Sequence, residues 1–194
     1  MVILLLLVFM ICWAAHAIRG RVGEQPVSFF LPTFISMVVS YTIVSIVVTA
    51  VIIQVEPWYQ PQYFIPIGGM IAGNSMSAIA IALERLFADL RVHRQRIELA
   101  LPFGATYQEA TTDILRSVIK AGMIPSINAL MTVGLVSLPG MMTGQILAGA
   151  DPTEAIKYQI IVMLMLVAAT TIGTVIVVHV VRGRCFSRAH QMVV

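Results

Sequence analysis

Few side chains in this sequence are suited to covalent or metal chemistry, and those few do not gather. His16 and His179 stand near the ends of apolar runs, and no His, Cys, Asp and Glu fall together at metal-ligand spacing. Cys12 lies in an apolar run and Cys185 in a basic tail, too few for a disulfide framework, so both read as free thiols. A phosphate-cradling loop needs a Gly-rich turn ending in Gly-Lys-Ser/Thr, yet Lys120 and Lys157 each follow an isoleucine. No catalytic residue is therefore expected, and no metal site is assigned. Methionine is abundant at 12 residues, with Met70, Met76, Met123, Met131, Met141 and Met142 close together in sequence. Thioethers suit soft ions such as Cu(I), while ferric and aluminium ions prefer oxygen; flexible packing accounts for most of these methionines. Asn74, Asn128, Thr143 and Gln145 are uncharged polar groups within apolar stretches, where bonding across helices is the commoner role. Asn74, Met76, Asn128 and Met141 are the candidates for lining a pathway. No charged residue sits securely at the centre of a span, which argues against a proton relay.

The elements that hold these residues are set by composition. Of 194 residues, 59% are hydrophobic and 11% charged, and the mean hydropathy is +0.93. A soluble domain carries about a quarter charged residues, so a water-soluble globule, a disordered chain, a secreted miniprotein and a nucleic-acid binder are all excluded. Five apolar segments, 2–18, 28–53, 64–83, 122–148 and 155–181, approach or exceed the roughly 20 residues that cross a bilayer as helix. The expected fold is all-α: a polytopic helical membrane protein of about five transmembrane helices in one permease domain, 1–194, embedded in the lipid bilayer. Eleven of the 12 Lys and Arg fall after span one, between spans three and four, or in the tail, and only Lys157 falls opposite. By the positive-inside rule the N-terminus lies outside and the C-terminus in the cytoplasm. Met1 leads straight into an apolar run without a basic n-region, unlike a cleaved signal peptide. A reverse signal-anchor and the absence of earlier spans both fit that start.

Between Glu84 and Lys120 lies the one large polar stretch. Leu83, Leu86, Phe87, Leu90, Ile97 and Leu101 keep helical spacing among charges, so span three continues as an amphipathic helix. Pro102-Phe-Gly104 breaks it, and Thr106-Tyr-Gln-Glu109 has capping-box spacing for a new helix carrying Ala110, Ile114, Leu115, Val118 and Ile119. The result is a projecting elbow, either a docking element for a soluble partner or a solvated connector. Within the spans, Gly69, Gly73 and Ser77, and again Gly140, Gly144 and Ala148, recur every fourth residue, a spacing that allows close helix approach inside the chain or between copies. Leu138-Pro139-Gly140 interrupts the long fourth run as a hinge, a pathway element or a simple kink. Asp151-Pro-Thr-Glu154 reads as a helix start with a capping-box Glu, and Glu56-Pro-Trp58-Tyr59 as an interfacial anchor.

Glu98-Leu-Ala-Leu-Pro-Phe-Gly-Ala-Thr106 resembles the loop by which ABC-transporter permeases contact their ATPase. The segments 65–76, 132–144 and 155–160 are similar to the Fet-type iron-export permeases, a family that also holds the plant aluminium-tolerance membrane proteins. The resemblance implies that Glu98, Gly104, Ala105, Thr106 and Glu109 couple to a separate ABC ATPase subunit, which carries ATP and Mg. No cofactor is then expected in this chain, which is a transport subunit rather than an enzyme. It implies a homodimer in the cell inner membrane exporting iron; Gly69, Gly73, Ser77, Pro139, Gly140 and Gly144 remain packing and hinge positions by their spacing alone. Two departures stand out: Tyr107 occupies a position usually Pro in the family, and about two further N-terminal spans are usual. Export of another metal or a nucleotide sugar, and a non-transporting scaffold or fragment, are the alternatives.

Overall fold

The computed structural model describes residues 2–48, 61–134, 139–187 and 192–193. Eight helices run through them: α1 Val2–Val22, α2 Phe30–Ile46, α3 Pro61–Val92, α4 Arg94–Ala100, α5 Tyr107–Ala110, α6 Thr112–Thr132, α7 Gly140–Leu147 and α8 Pro152–Arg184. Among the described residues Phe186 and Met192 form an isolated antiparallel bridge. The protein is a helical membrane protein. Segments Pro66–Val92, Thr112–Thr132 and Pro152–Arg184 are each long and apolar enough to cross a bilayer, and Phe30–Ile46 is a shorter apolar helix. At 1.5 Å per residue α3 and α8 are each about 50 Å long, well beyond the roughly 30 Å of hydrocarbon. Their ends must therefore stand clear of it.

Helix α3 is the centre of the bundle, packed against α1, α2, α6 and α8, with α8 also lying along α2, α6 and α7. Close approach depends on three glycines. A Cβ on Gly68 would meet Leu7 Cδ2 at 2.6 Å, and one on Gly173 would meet Ser40 Oγ at 3.2 Å. One on Gly122 would meet the Ala78 carbonyl oxygen and Ala82 Cβ at 3.0 Å. The two small-residue ladders are placed differently. Gly69 has Met10 Cε 3.2 Å from its Cβ position, whereas Gly73, Gly140 and Gly144 have nothing within 4 Å. The helices of this chain meet through Gly68, Gly122 and Gly173, and most of the ladder surface is left free.

The fourth apolar run folds differently from its hydropathy. Its helix begins at Thr112, ten residues before the run: Asp113 in the first turn suits the positive end of the helix dipole, and Arg116 and Lys120 are good helix formers. It stops at Thr132; Val133 turns extended and Gly134 adopts φ +82°, a conformation open to glycine. Helix α7 restarts at Gly140 behind an extended Pro139, so the interruption is wider than a proline kink. Leu138 and the Glu56-Trp58-Tyr59 anchor lie outside the described residues. At the start of α8, Asp151 Oδ1 accepts from the amides of Thr153 (2.8 Å) and Glu154 (3.2 Å). The Glu154 carboxylate does not close a box but takes Lys157 Nζ at 2.8 Å, one turn along.

Large apolar side chains lie outside as well as in the core, and hydroxyls are buried among the helices. Phe9, Trp13, Leu31, Ile35, Ile160 and Leu164 face outward, while Thr33, Ser36, Ser40, Ser75, Thr170 and Thr174 are buried. Contiguous exposed apolar surface of this kind fits lipid as its solvent.

A capped elbow as the candidate docking site

The last turns of α3 form a stem. Leu83, Leu86, Phe87 and Leu90 are buried in the bundle, and Phe87 packs on Phe29 with ring centroids 5.8 Å apart. On the polar face, Arg85 Nε donates to Asp89 Oδ2 at 3.0 Å, and Arg21 lies 3.7 Å from Glu84. The helix is not continuous to Leu101, since a break at His93 separates α3 from α4. His93 Nδ1 lies 2.9 Å from the Asp89 carbonyl oxygen. Helix α4 is held by one buried residue, Ile97, and by an Arg94–Glu98 pair at 2.8 Å. Glu98 therefore fastens α4 to itself through an exposed pair of the kind that contributes at most about 1 kcal/mol.

Glycine forms the turn. Gly104 has φ +90°, its amide donates to the Leu101 carbonyl (3.1 Å), and the Ala105 amide reaches back to Ala100 (3.3 Å). These two bonds make a Schellman end, which only a residue tolerant of left-handed φ closes without strain. Pro102 lies inside this last turn and withholds an amide from Glu98, while Gly104 reverses the chain. Directly after it comes the capping box. Thr106 Oγ1 accepts from the Glu109 amide at 3.3 Å, and Glu109 Oε2 accepts from the Thr106 amide and hydroxyl, each at 2.8 Å. Those two donors hold the Glu109 carboxyl below the usual carboxylate range. Helix α5 is a single turn, and Thr111 marks a second bend before α6.

Two features join this elbow to the bundle. Tyr107, first residue of α5, lies against the far end of α8: its ring centroid is 5.3 Å from that of Phe186, and the Arg182 guanidinium sits 5.8 Å above it. Arg96 of α4 reaches Asp113 of α6 at 3.7 Å across a polar cleft of about 230 Å³ that Arg85, Asp89 and Ser117 also line. The outer surface of the elbow is unexpectedly apolar. Phe103 at its tip is 90% exposed, with Leu99 and Val92 also uncovered. An apolar knob at a charged, aqueous end is suited to insertion into a partner's pocket.

The structure thus gathers Glu98, Gly104, Ala105, Thr106 and Glu109 into one element. It does not gather the pathway candidates. Asn74 is exposed and gives its amide to the Met70 carbonyl (3.0 Å), Asn128 is exposed on α6, and Met76 and Met141 pack against the core. Among the described residues no group of three His, Cys, Asp or Glu could hold a metal ion. The buried hydroxyls of α2, α3 and α8 carried little signal in the sequence, because Ser and Thr are scattered among apolar residues and only helix packing turns them inward.

The family model described as Uncharacterised protein family (UPF0014) matches residues 1–186. The chain belongs to the UPF0014 family. A UPF0014 membrane protein of Synechocystis is 40% identical over 99% of this chain and 74% of its own length. The Escherichia coli protein named Probable iron export permease protein FetB is 36% identical over 98% of this chain and 72% of its own. Protein ALUMINUM SENSITIVE 3 of Arabidopsis thaliana is 37% identical over 73% of this chain and 52% of its own. No solved structure matches. Within this UPF0014 chain the elbow lies in the matched region, as do both ladders.

Proposed function

We propose that this UPF0014 protein is the permease subunit of an ABC exporter, exporting iron at the expense of ATP hydrolysed by a separate subunit. The observation that carries the reading is the 36% identity to a probable iron export permease over nearly the whole chain. The exposed, rigidly terminated elbow supports it: Phe103 and the Gly104–Glu109 turn dock in a groove of the ATPase. Two copies of the chain pair with two ATPases in the cell inner membrane, N-terminus outside and the elbow in the cytoplasm. ATP-driven closure moves the elbow as a unit, and Tyr107 passes that motion to α8. Extended backbone at Val133, where α6 ends, and at Pro139, where α7 begins, lets the two helices move separately. A second cargo, another metal, is favoured by the similarity to ALUMINUM SENSITIVE 3.

The test is capture of the host's soluble ATPases by the chain in detergent. One ATPase should be retained by the wild type and lost with Phe103→Ala or Gly104→Pro, the latter incompatible with φ +90°. Capture unaffected by either substitution would remove the elbow from the interface, and no capture at all would leave a membrane scaffold.

A further inference from the structure

The inward face of α2 is a row of oxygens. Thr33, Ser36 and Ser40 are each fully buried. Each hydroxyl donates to a carbonyl of its own helix: Phe29 at 2.7 Å, Thr33 at 2.8 Å and Met37 at 3.1 Å. Their protons are committed, and their oxygen lone pairs remain available. Helix α8 presents a matching row, Gln159, Thr170 and Thr174, at intervals that keep one helix face. The rows meet at Gly173, where a Cβ would lie 3.2 Å from Ser40 Oγ and 3.6 Å from Ile79 Cδ1. One turn from Ile79 on α3 lies Ser75.

Three of these groups have no hydrogen-bond partner among the described residues: Ser75 Oγ, Thr174 Oγ1 and Gln159 Oε1. Their residues are 1%, 0% and 6% exposed. A polar group buried without a partner costs about 1–3 kcal/mol, and here three lie on facing helices. In a bilayer a seam of leucines parts into lipid at little cost, because chain and lipid are equally apolar, but resists water. A seam of unsatisfied oxygens has the opposite preference and gains when water reaches it. The stretch from Thr33 to Ser40 on α2, continued from Gly173 to Gln159 on α8, spans about 30 Å at 1.5 Å per residue, about the thickness of the hydrocarbon. The thioethers of Met37 and Met163 border the row, but the unpartnered atoms are neutral oxygens. Hydroxyl and amide oxygens hold hard cations weakly, as passage rather than storage requires.

We propose that this hydroxyl seam between α2, α3 and α8 is where the bundle opens to water, and that its oxygens line the path of an oxygen-seeking cation. The inference rests on the transport reading above and gives that path its residues. Glycine at 173 keeps the seam closed in this conformation by allowing the two helices to touch, and separating α2 from α8 there uncovers both rows together.

The experiment places single cysteines at Ser40, Ser75 and Thr174 of the full chain, with Cys12→Ser as background, in native membranes. Cys185 needs no replacement: its thiol is buried and pushed up to about 12, so thiolate is scarce. A membrane-impermeant cationic methanethiosulfonate should label all three at least about tenfold faster than Ala80→Cys, a buried apolar control. Equal rates overturn the seam. This readout needs no ATPase, so a captured ATPase with an unreactive seam overturns the path alone, and a reactive seam without ATPase capture overturns the transport reading and with it the cation path, leaving only the opening of the seam to water. In vesicles bearing the ATPase, Thr174→Val keeps the side-chain shape and removes the oxygen. ATP-driven iron flux should fall severalfold with ATPase capture unchanged, and unchanged flux overturns the cation-lining role.

Discussion

Glu109 is an exposed carboxylate whose charge is fixed by geometry, since Thr106 offers it both an amide and a hydroxyl. Its folded pKa lies below the ordinary 4.5, so the capping box stabilises the elbow fully above that value and loses its effect as pH falls through the lower folded one. Hydrogen exchange of the α5 amides, corrected for intrinsic rates, should show protection that is flat at neutral pH and declines only in acid. In Glu109→Gln that acid limb should vanish, and an unchanged limb would place the titrating group elsewhere. Thr106→Ala, which removes the cap oxygen and one donor to Glu109, should loosen the same amides by about 1 kcal/mol at neutral pH. Glycines divide just as sharply. Gly122→Ala pushes a methyl against the backbone oxygen of Ala78, which cannot swing aside, so thermal unfolding in detergent should show a loss of about 1–3 kcal/mol. Capping boxes are legible in sequence because hydroxyl and carboxylate act within one turn. Glycine contacts are not, because whether Gly122 or Gly73 meets a neighbour depends on how the helices are rotated.

Helices were legible where one residue pattern decided them and obscure where two competed. Each of the five apolar runs contains helix among its described residues, since backbone polar groups in lipid have no other partners, although the fourth is divided between α6 and α7. The helix opened by Thr106 and running into the fourth span was legible from its capping box, but the bend at Thr111 that divides it into α5 and α6, and the His93 break, were hidden in a charged stretch. Tyr107 is the clearest element-scale case. In sequence it stood out only as a departure from a family proline; in the fold its ring lies between Arg182 and Phe186, joining a one-turn helix to a 33-residue one. A proline there would preset the turn but offer no such grip. Tyr107→Ala should therefore leave ATPase capture intact, because Phe103 and the turn remain, while lowering ATP-driven transport severalfold. Tyr107→Phe, which keeps the ring, should restore it. Failure of Phe to rescue would show that the hydroxyl, rather than stacking, makes the connection.

At the scale of the whole molecule, what this chain leaves uncovered bears on its assembly. A Cβ at Gly73, Gly140 or Gly144 would meet nothing within 4 Å, although Gly68 and Gly69, on the same helix as Gly73, are closely packed. In lipid, helices associate by close backbone approach and not by hydrophobic drive, so an uncovered ladder is either wasted on lipid or occupied by another helix. Bulk separates the two. The Cβ position of Gly73 and of Gly144 is open to 4 Å, so Gly73→Leu and Gly144→Leu should each leave the unfolding temperature close to wild type, unlike Gly122→Ala. If two copies meet along a ladder, the added side chain holds the backbones apart, and the mass of the purified particle by light scattering should fall from two chains toward one. ATP-driven transport should fall with it, since paired ATPases would lose their matched elbows. If the mass and transport are both unchanged, the ladders face lipid, and a homodimer has to be built on another surface.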